Sequence, residues 1–87
     1  DPDPAVAEHF RNGRAVLYAT VSRRLAPTLE RWGTLDADKK LPVLVGQFVA
    51  ACEAAVHTLL HDDGKDWTPT TLGALVGAAT YRAFRTA

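Results

Sequence analysis

The sequence predicts an all-α fold, a small up-down bundle of three helices. Three observations carry that reading. Apolar residues recur at three- and four-residue steps through long segments, and no segment reads as a strand. Cap and stop residues sit at the ends of those segments. The connections between them are short, which favours antiparallel neighbours. With 87 residues, one helical domain over 1–87 is the expected organisation.

The first helix is expected from about Pro4 to Trp32. Val6, Phe10, Leu17, Val21, Leu25, Thr28, Leu29 and Trp32 form its apolar stripe. Asp3 is a good N-cap, followed by a proline in the first turn. Gly13 and Pro27 interrupt the run. Pro27 removes one backbone donor and crowds the preceding turn, so a kink near Leu25–Ala26 is expected. The stripe keeps its phase across both interruptions, which favours one bent helix.

Gly33 can end that helix, and Thr34 or Asp36 can cap the next segment. Pro42 lies too deep for a smooth helix starting at Asp36. A short turn at 35–40 is therefore expected, then a second helix from about Pro42 to His61. Gly64 is the expected stop. Thr68 as cap and Pro69 in the first turn open a third helix, running to about Arg85. The alternative divides the chain at its breaks into pieces at 4–12, 14–26, 27–33, 35–40, 42–61 and 69–85. Six short helices would resemble a death-fold adaptor domain; the continuous stripe argues against it.

Ten basic residues balance ten acidic ones. A net charge near zero gives no long-range attraction to nucleic acid or anionic lipid. No run reaches the eighteen or so apolar residues of a membrane span, and no basic-then-apolar leader is visible. Cys52 is the only cysteine, which excludes an internal disulfide and fits a reducing, cytoplasmic setting. Seven of the ten bases are arginine and alanine is abundant, a composition associated with GC-rich bacterial genomes. Arg11, Arg14, Arg23, Arg24 and Arg31 scatter around their helix, and the third helix opens with threonines rather than base-reading side chains. Neither pattern suits a recognition helix. A regulatory DNA-binding role ranks third among the functional readings.

His57 and His61 are one helical turn apart and could hold a divalent ion with Glu53, or with Asp62 or His9. The residues between them are Thr58, Leu59 and Leu60, so the glutamate of a zinc-protease motif is missing. On a helical wheel Cys52 lies on the apolar side with Leu41, Leu44, Val45, Phe48, Ala55, Val56 and Leu59. Glu53, His57 and His61 lie opposite, so cysteine and histidines cannot share a metal. A solvated face near a helix C-terminus, where partly protonated histidine suits the dipole, is the favoured explanation of the pair. Cys52 reads as a small core residue, with no base or helix N-terminus nearby to activate it. Ser22 lacks a nucleophile-elbow context. Asp36/Asp38 and Asp62/Asp63 sit in connectors, where capping explains them. Nothing marks a catalytic residue, and no cofactor is expected.

The excess of apolar surface is more informative. No charged residue occurs from Leu41 to Cys52 or from Trp67 to Tyr81. In the third helix Leu72, Leu75, Val76, Ala79 and Ala83 make one face, and Gly73, Gly77, Thr80 and Phe84 another. A mid-helix glycine costs about 1 kcal/mol against alanine, so two of them ask for a packing reason. Gly46, Ala50 and Ala54 form a similar strip on the second helix. Two explanations fit. The strips can meet, Gly46/Ala50 against Gly73/Gly77, leaving both main faces for the first helix. Alternatively, a second subunit or a partner protein's helix covers them. The expected function is a non-enzymatic protein–protein interaction or oligomerisation module, with Gly46, Ala50, Ala54, Gly73, Gly77 and Phe84 at the interface. Homo-oligomerisation is favoured, with no nucleic acid and no membrane. His57 and His61 would lie at the interface edge, where their protonation near pH 6 could tune association. The alternative is a small metal- or ligand-binding helical protein using His57 and His61.

Overall fold

The computed structural model describes residues 3–87, apart from the side chains of Val6 and Phe10. Those two members of the first stripe therefore lie outside the described residues. The rest form an all-α bundle of three helices: α1 (Pro4–Arg31), α2 (Ala37–Asp62) and α3 (Pro69–Arg85). The six-helix division is not realised, because α1 runs unbroken through Gly13 and Pro27.

Local chemistry fixes most of the ends. The Asp3 carboxylate accepts from the Ala5 amide at 2.9 Å, with Pro4 in the first turn. The far end of α1 is a Schellman motif. Gly33 takes φ 67°; its amide donates to the Glu30 carbonyl and the Thr34 amide to that of Leu29. Only glycine enters this left-handed region without a Cβ penalty. α3 opens on a reciprocal capping box. Thr68 Oγ1 accepts from the Thr71 amide and Thr71 Oγ1 from the Thr68 amide, at 3.1 and 3.0 Å.

The start of α2 corrects the expected boundary. The turn foreseen at 35–40 is instead the first turn of the helix, and Pro42 lies inside it. Pro42 is the sixth residue of the helix, past the first four amides, which a helix start leaves without intrahelical partners. It therefore removes a regular bond to the Asp38 carbonyl, and the helix continues without it. Asp36 holds the N-cap position in the left-handed conformation, without a side-chain cap bond. At the other end Asp63 and Gly64 both take positive φ. The Asp62 carboxylate accepts from the amides of Asp66 and Trp67, at 3.0 and 2.9 Å, and folds the loop back.

α2 is the centre of the bundle. Both α1 and α3 pack mainly against it rather than against each other. The core is concentrated where the C-terminal half of α1, the N-terminal half of α2 and the end of α3 converge. Leu29, Leu44 and Phe84 are buried together there, with Leu25, Trp32, Ala37, Leu41 and Phe48 packed around them. Val45, Val49 and Leu72 are also buried. At the opposite end, residues 11–17 of α1 are exposed throughout.

The arrangement is flat. The chain measures 42 × 35 × 15 Å, and a single helix with side chains is already about 10–12 Å across. The radius of gyration is 15.1 Å, against about 12 Å for a compact domain of this length. The three helices thus make one layer, whereas stable domains normally stack two.

α2 is also long and apolar enough, by length and composition, to cross a membrane. This corrects the expectation of no membrane-length segment. That expectation rested on uninterrupted runs, which Pro42, Gln47, Glu53 and His57 divide. A window average tolerates those interruptions. A buried core helix meets the same criterion, but only 17% of this window is buried inside the bundle.

Candidate functional site

A hollow of about 420 Å³ at the start of α2 is lined in part by charged Asp36, Lys39 and Lys40. A smaller, apolar groove of about 310 Å³ lies between α1 and α3. Val21, Arg24 and Leu25 come from α1, Phe48 from α2, and Gly77, Thr80, Tyr81 and Phe84 from α3. It exists because α1 and α3 flank α2 without closing over it. The 3.6-residue period puts Phe48, Cys52, Val56 and Leu59 on one side of α2. Phe48, Cys52 and Leu59 are half-buried, and Val56 is 56% exposed. The main apolar face of α2 is therefore only partly covered by its own chain.

This overturns the intramolecular explanation for the small-residue strips. A Cβ added at Gly73 or Gly77 would meet nothing within 4 Å, and one at Gly46 would meet only Tyr18 Oη, at 3.7 Å. Gly46/Ala50 does not face Gly73/Gly77. Instead Gly46 admits the tyrosine of α1, while Ala50, Ala54, Gly73 and Gly77 are exposed. The main face of α3 is also divided: Leu72 is buried and Val76 half-buried, but Leu75, Ala79 and Ala83 are exposed. Phe84 departs from its expected place as well. It is 6% exposed and belongs to the core, so little of its ring is available to the groove.

His57 and His61 are brought together, with ring centroids 4.3 Å apart. Glu53 is not drawn to them; its carboxylate pairs with Arg14 at 3.0 Å. The Asp62 carboxylate is engaged by two backbone amides. Among the described residues no group of three or more His, Cys, Asp or Glu is arranged to hold a metal ion. The pair also lies about half a turn around α2 from Phe48, away from the groove rather than at its edge.

Cys52 is a free thiol, half-buried rather than fully in the core. Burial pushes its pKa up, and the neighbouring Glu53 charge adds to the shift. Such a thiol is a poor nucleophile at neutral pH. Among the described residues, three of the seven arginines have local partners. Arg14 also lies over the Tyr18 ring, Arg85 over the Trp32 ring, and Arg31 donates to Thr28 Oγ1.

The groove offers one guanidinium, one threonine hydroxyl and one phenol on otherwise apolar walls. Such a surface suits apolar packing rather than bond-making chemistry. Sequence reasoning picked out Gly77 and Phe84 but not Val21, Leu25 and Phe48 as their neighbours across a gap. No family model, curated protein or solved structure matches the chain.

Proposed function

We propose that the chain is a non-enzymatic helical interaction module that associates with itself. The observation behind this reading is its surplus of exposed surface. The chain exposes 6577 Å², whereas a folded monomer of 9.4 kDa exposes about 5,000 Å². The surplus, roughly 1,500 Å², includes large apolar side chains: Val16 at 66%, Val56 at 56% and Leu60 at 73% exposure. Monomeric proteins rarely leave extended apolar patches in water. Small domains commonly gain missing stability from a second subunit.

Size-exclusion chromatography with light scattering, run across a concentration series, tests the reading. The expected result is a dimer or higher oligomer at micromolar concentration, with thermal stability that rises with concentration. A well-folded monomer persisting at high micromolar concentration overturns it.

A further inference from the structure

We infer that the groove between α1 and α3 receives the N-terminal half of α1 from a second copy of this chain, reciprocally, in a two-fold dimer. The inference rests on the self-association reading above and gives it a surface.

The groove is an open trough about two helical turns long, large enough for a few side chains of a helix laid along it. Val21 and Leu25 make one wall, Gly77 and Thr80 the other, and Phe48 contributes the floor. Arg24 is its only charged lining residue. Gly77 is the informative member. A glycine inside a helix costs about 1 kcal/mol against alanine, and the space around a Cβ there is empty. The single chain gains no packing from that cost, whereas a helix laid in the groove could approach the bare backbone closely. Such a helix would also add the missing second layer and give the packing of a four-helix bundle.

The area argues for a second copy. A standard interface covers about 800 Å² per partner, and obligate homodimers cover more. The surplus of roughly 1,500 Å² per chain is enough for such a contact. The whole chain is neutral, ten basic residues against ten acidic ones. Residues 11–17, however, bring Arg11 and Arg14 toward the Arg24 of the groove, so the dimer should tighten as salt screens that contact.

The same chain carries a suitable ligand. Residues 11–17 of α1 are all exposed, Val16 at 66% and Leu17 at 38%. Leu17 and Val21 lie within about 40° of each other around the helix, so one continuous face leads from the exposed half into the groove wall. Two α1 helices crossing antiparallel near Ala19–Thr20 would put the exposed half of each beside the Val21–Leu25 wall of the other. That relation is isologous and closed, as a two-fold interface requires.

The test compares wild type, Gly77→Leu and Leu17→Glu by sedimentation equilibrium, with far-UV circular dichroism as a fold control. Gly77→Leu fills the groove with a better helix former. Leu17→Glu charges the inserting face without touching the core. Each is expected to weaken the dimer at least about tenfold while leaving helicity intact. As a measurement that leaves the groove open, a spin label on Ala79→Cys, on the exposed side of α3 away from the groove, in a Cys52→Ala background should give a defined inter-copy distance by pulsed electron paramagnetic resonance. A wild-type dimer indifferent to both substitutions, or without that distance, rejects the groove but leaves self-association standing. A folded wild-type monomer at high micromolar concentration rejects both. A monomer that floats with phosphatidylcholine–phosphatidylglycerol vesicles also rejects the second copy, and assigns the groove to lipid.

Discussion

Trp32 at the end of α1 and Tyr81 of α3 meet edge to face, with ring centroids 5.5 Å apart and planes at 88°. Arg85 adds its guanidinium over the indole, 5.4 Å from the ring centroid. This corner ties the outer helices together, while their remaining length is joined only through α2. An edge-to-face pair contributes about 0.5–1.5 kcal/mol beyond its buried area. Tyr81 is 57% exposed, which places this one toward the lower end. A double-mutant cycle of Trp32→Phe and Tyr81→Leu, read from urea unfolding, should give a coupling near 0.5 kcal/mol. A coupling of zero would mean that the corner is held by Phe84 and Leu29 alone.

Gly13 and Gly33 should respond oppositely to alanine. Gly13 lies inside α1, and an added Cβ there meets nothing within 4 Å. Alanine should raise stability by about 0.5–1 kcal/mol through helix propensity. Gly33 also has open space around it but takes φ 67°. There alanine enters the left-handed region at a cost of about 1–2 kcal/mol. Thermal melts of the two variants at one protein concentration would check the signs. A stabilised Gly33→Ala would show that the Schellman turn rearranges.

The three helices were legible because their stripes and caps are local signals. Asp3, Gly33, Thr68 and Pro69 act within a few residues of themselves, so the ends of α1 and α3 could be placed to within a residue or so. Pro42 misled because one lost backbone bond at the sixth position of a 26-residue helix does not stop the helix. The groove was only half legible. The bare strip at Gly73 and Gly77 can be read along one helix. Whether it faces Gly46, Val21 or water depends on how α1 and α3 sit around α2, which no local pattern encodes. Glu53 illustrates the same limit. Its spacing from His57 pointed to a metal set, but Arg14, 39 positions earlier in the chain, takes the carboxylate.

Cys52 should behave as a protected thiol. Burial raises its pKa above the ordinary value, with the Glu53 charge as the second cause. The folded chain therefore holds the thiol proton more tightly than the unfolded chain does. Stability from this group is complete below the ordinary thiol pKa of about 8.5 and is lost as pH rises through the raised folded value. Wild type should lose stability relative to Cys52→Ser between neutral and strongly alkaline pH, by urea midpoint. At pH 8, iodoacetamide should alkylate the native chain more slowly than the chain in urea. Equal rates would mean that the thiol is not shielded.

His57 and His61 should bind zinc weakly. Their rings stand close enough to share an ion, but zinc sites use three or four protein ligands. Among the described residues no group of three or more His, Cys, Asp or Glu is arranged to complete one; Glu53 turns to Arg14, and Asp62 Oδ2 accepts from the loop amides. The free energy should fall far short of the about 10–16 kcal/mol of structural zinc sites. Calorimetry should show a weak isotherm that either His57→Ala or His61→Ala removes, since the two rings act as one chelate. Stoichiometric zinc should leave the melting temperature unchanged. Sub-micromolar binding lost in both single variants would instead require ligands from a second copy. In that case the histidine face of α2, rather than the groove, would be where two chains meet.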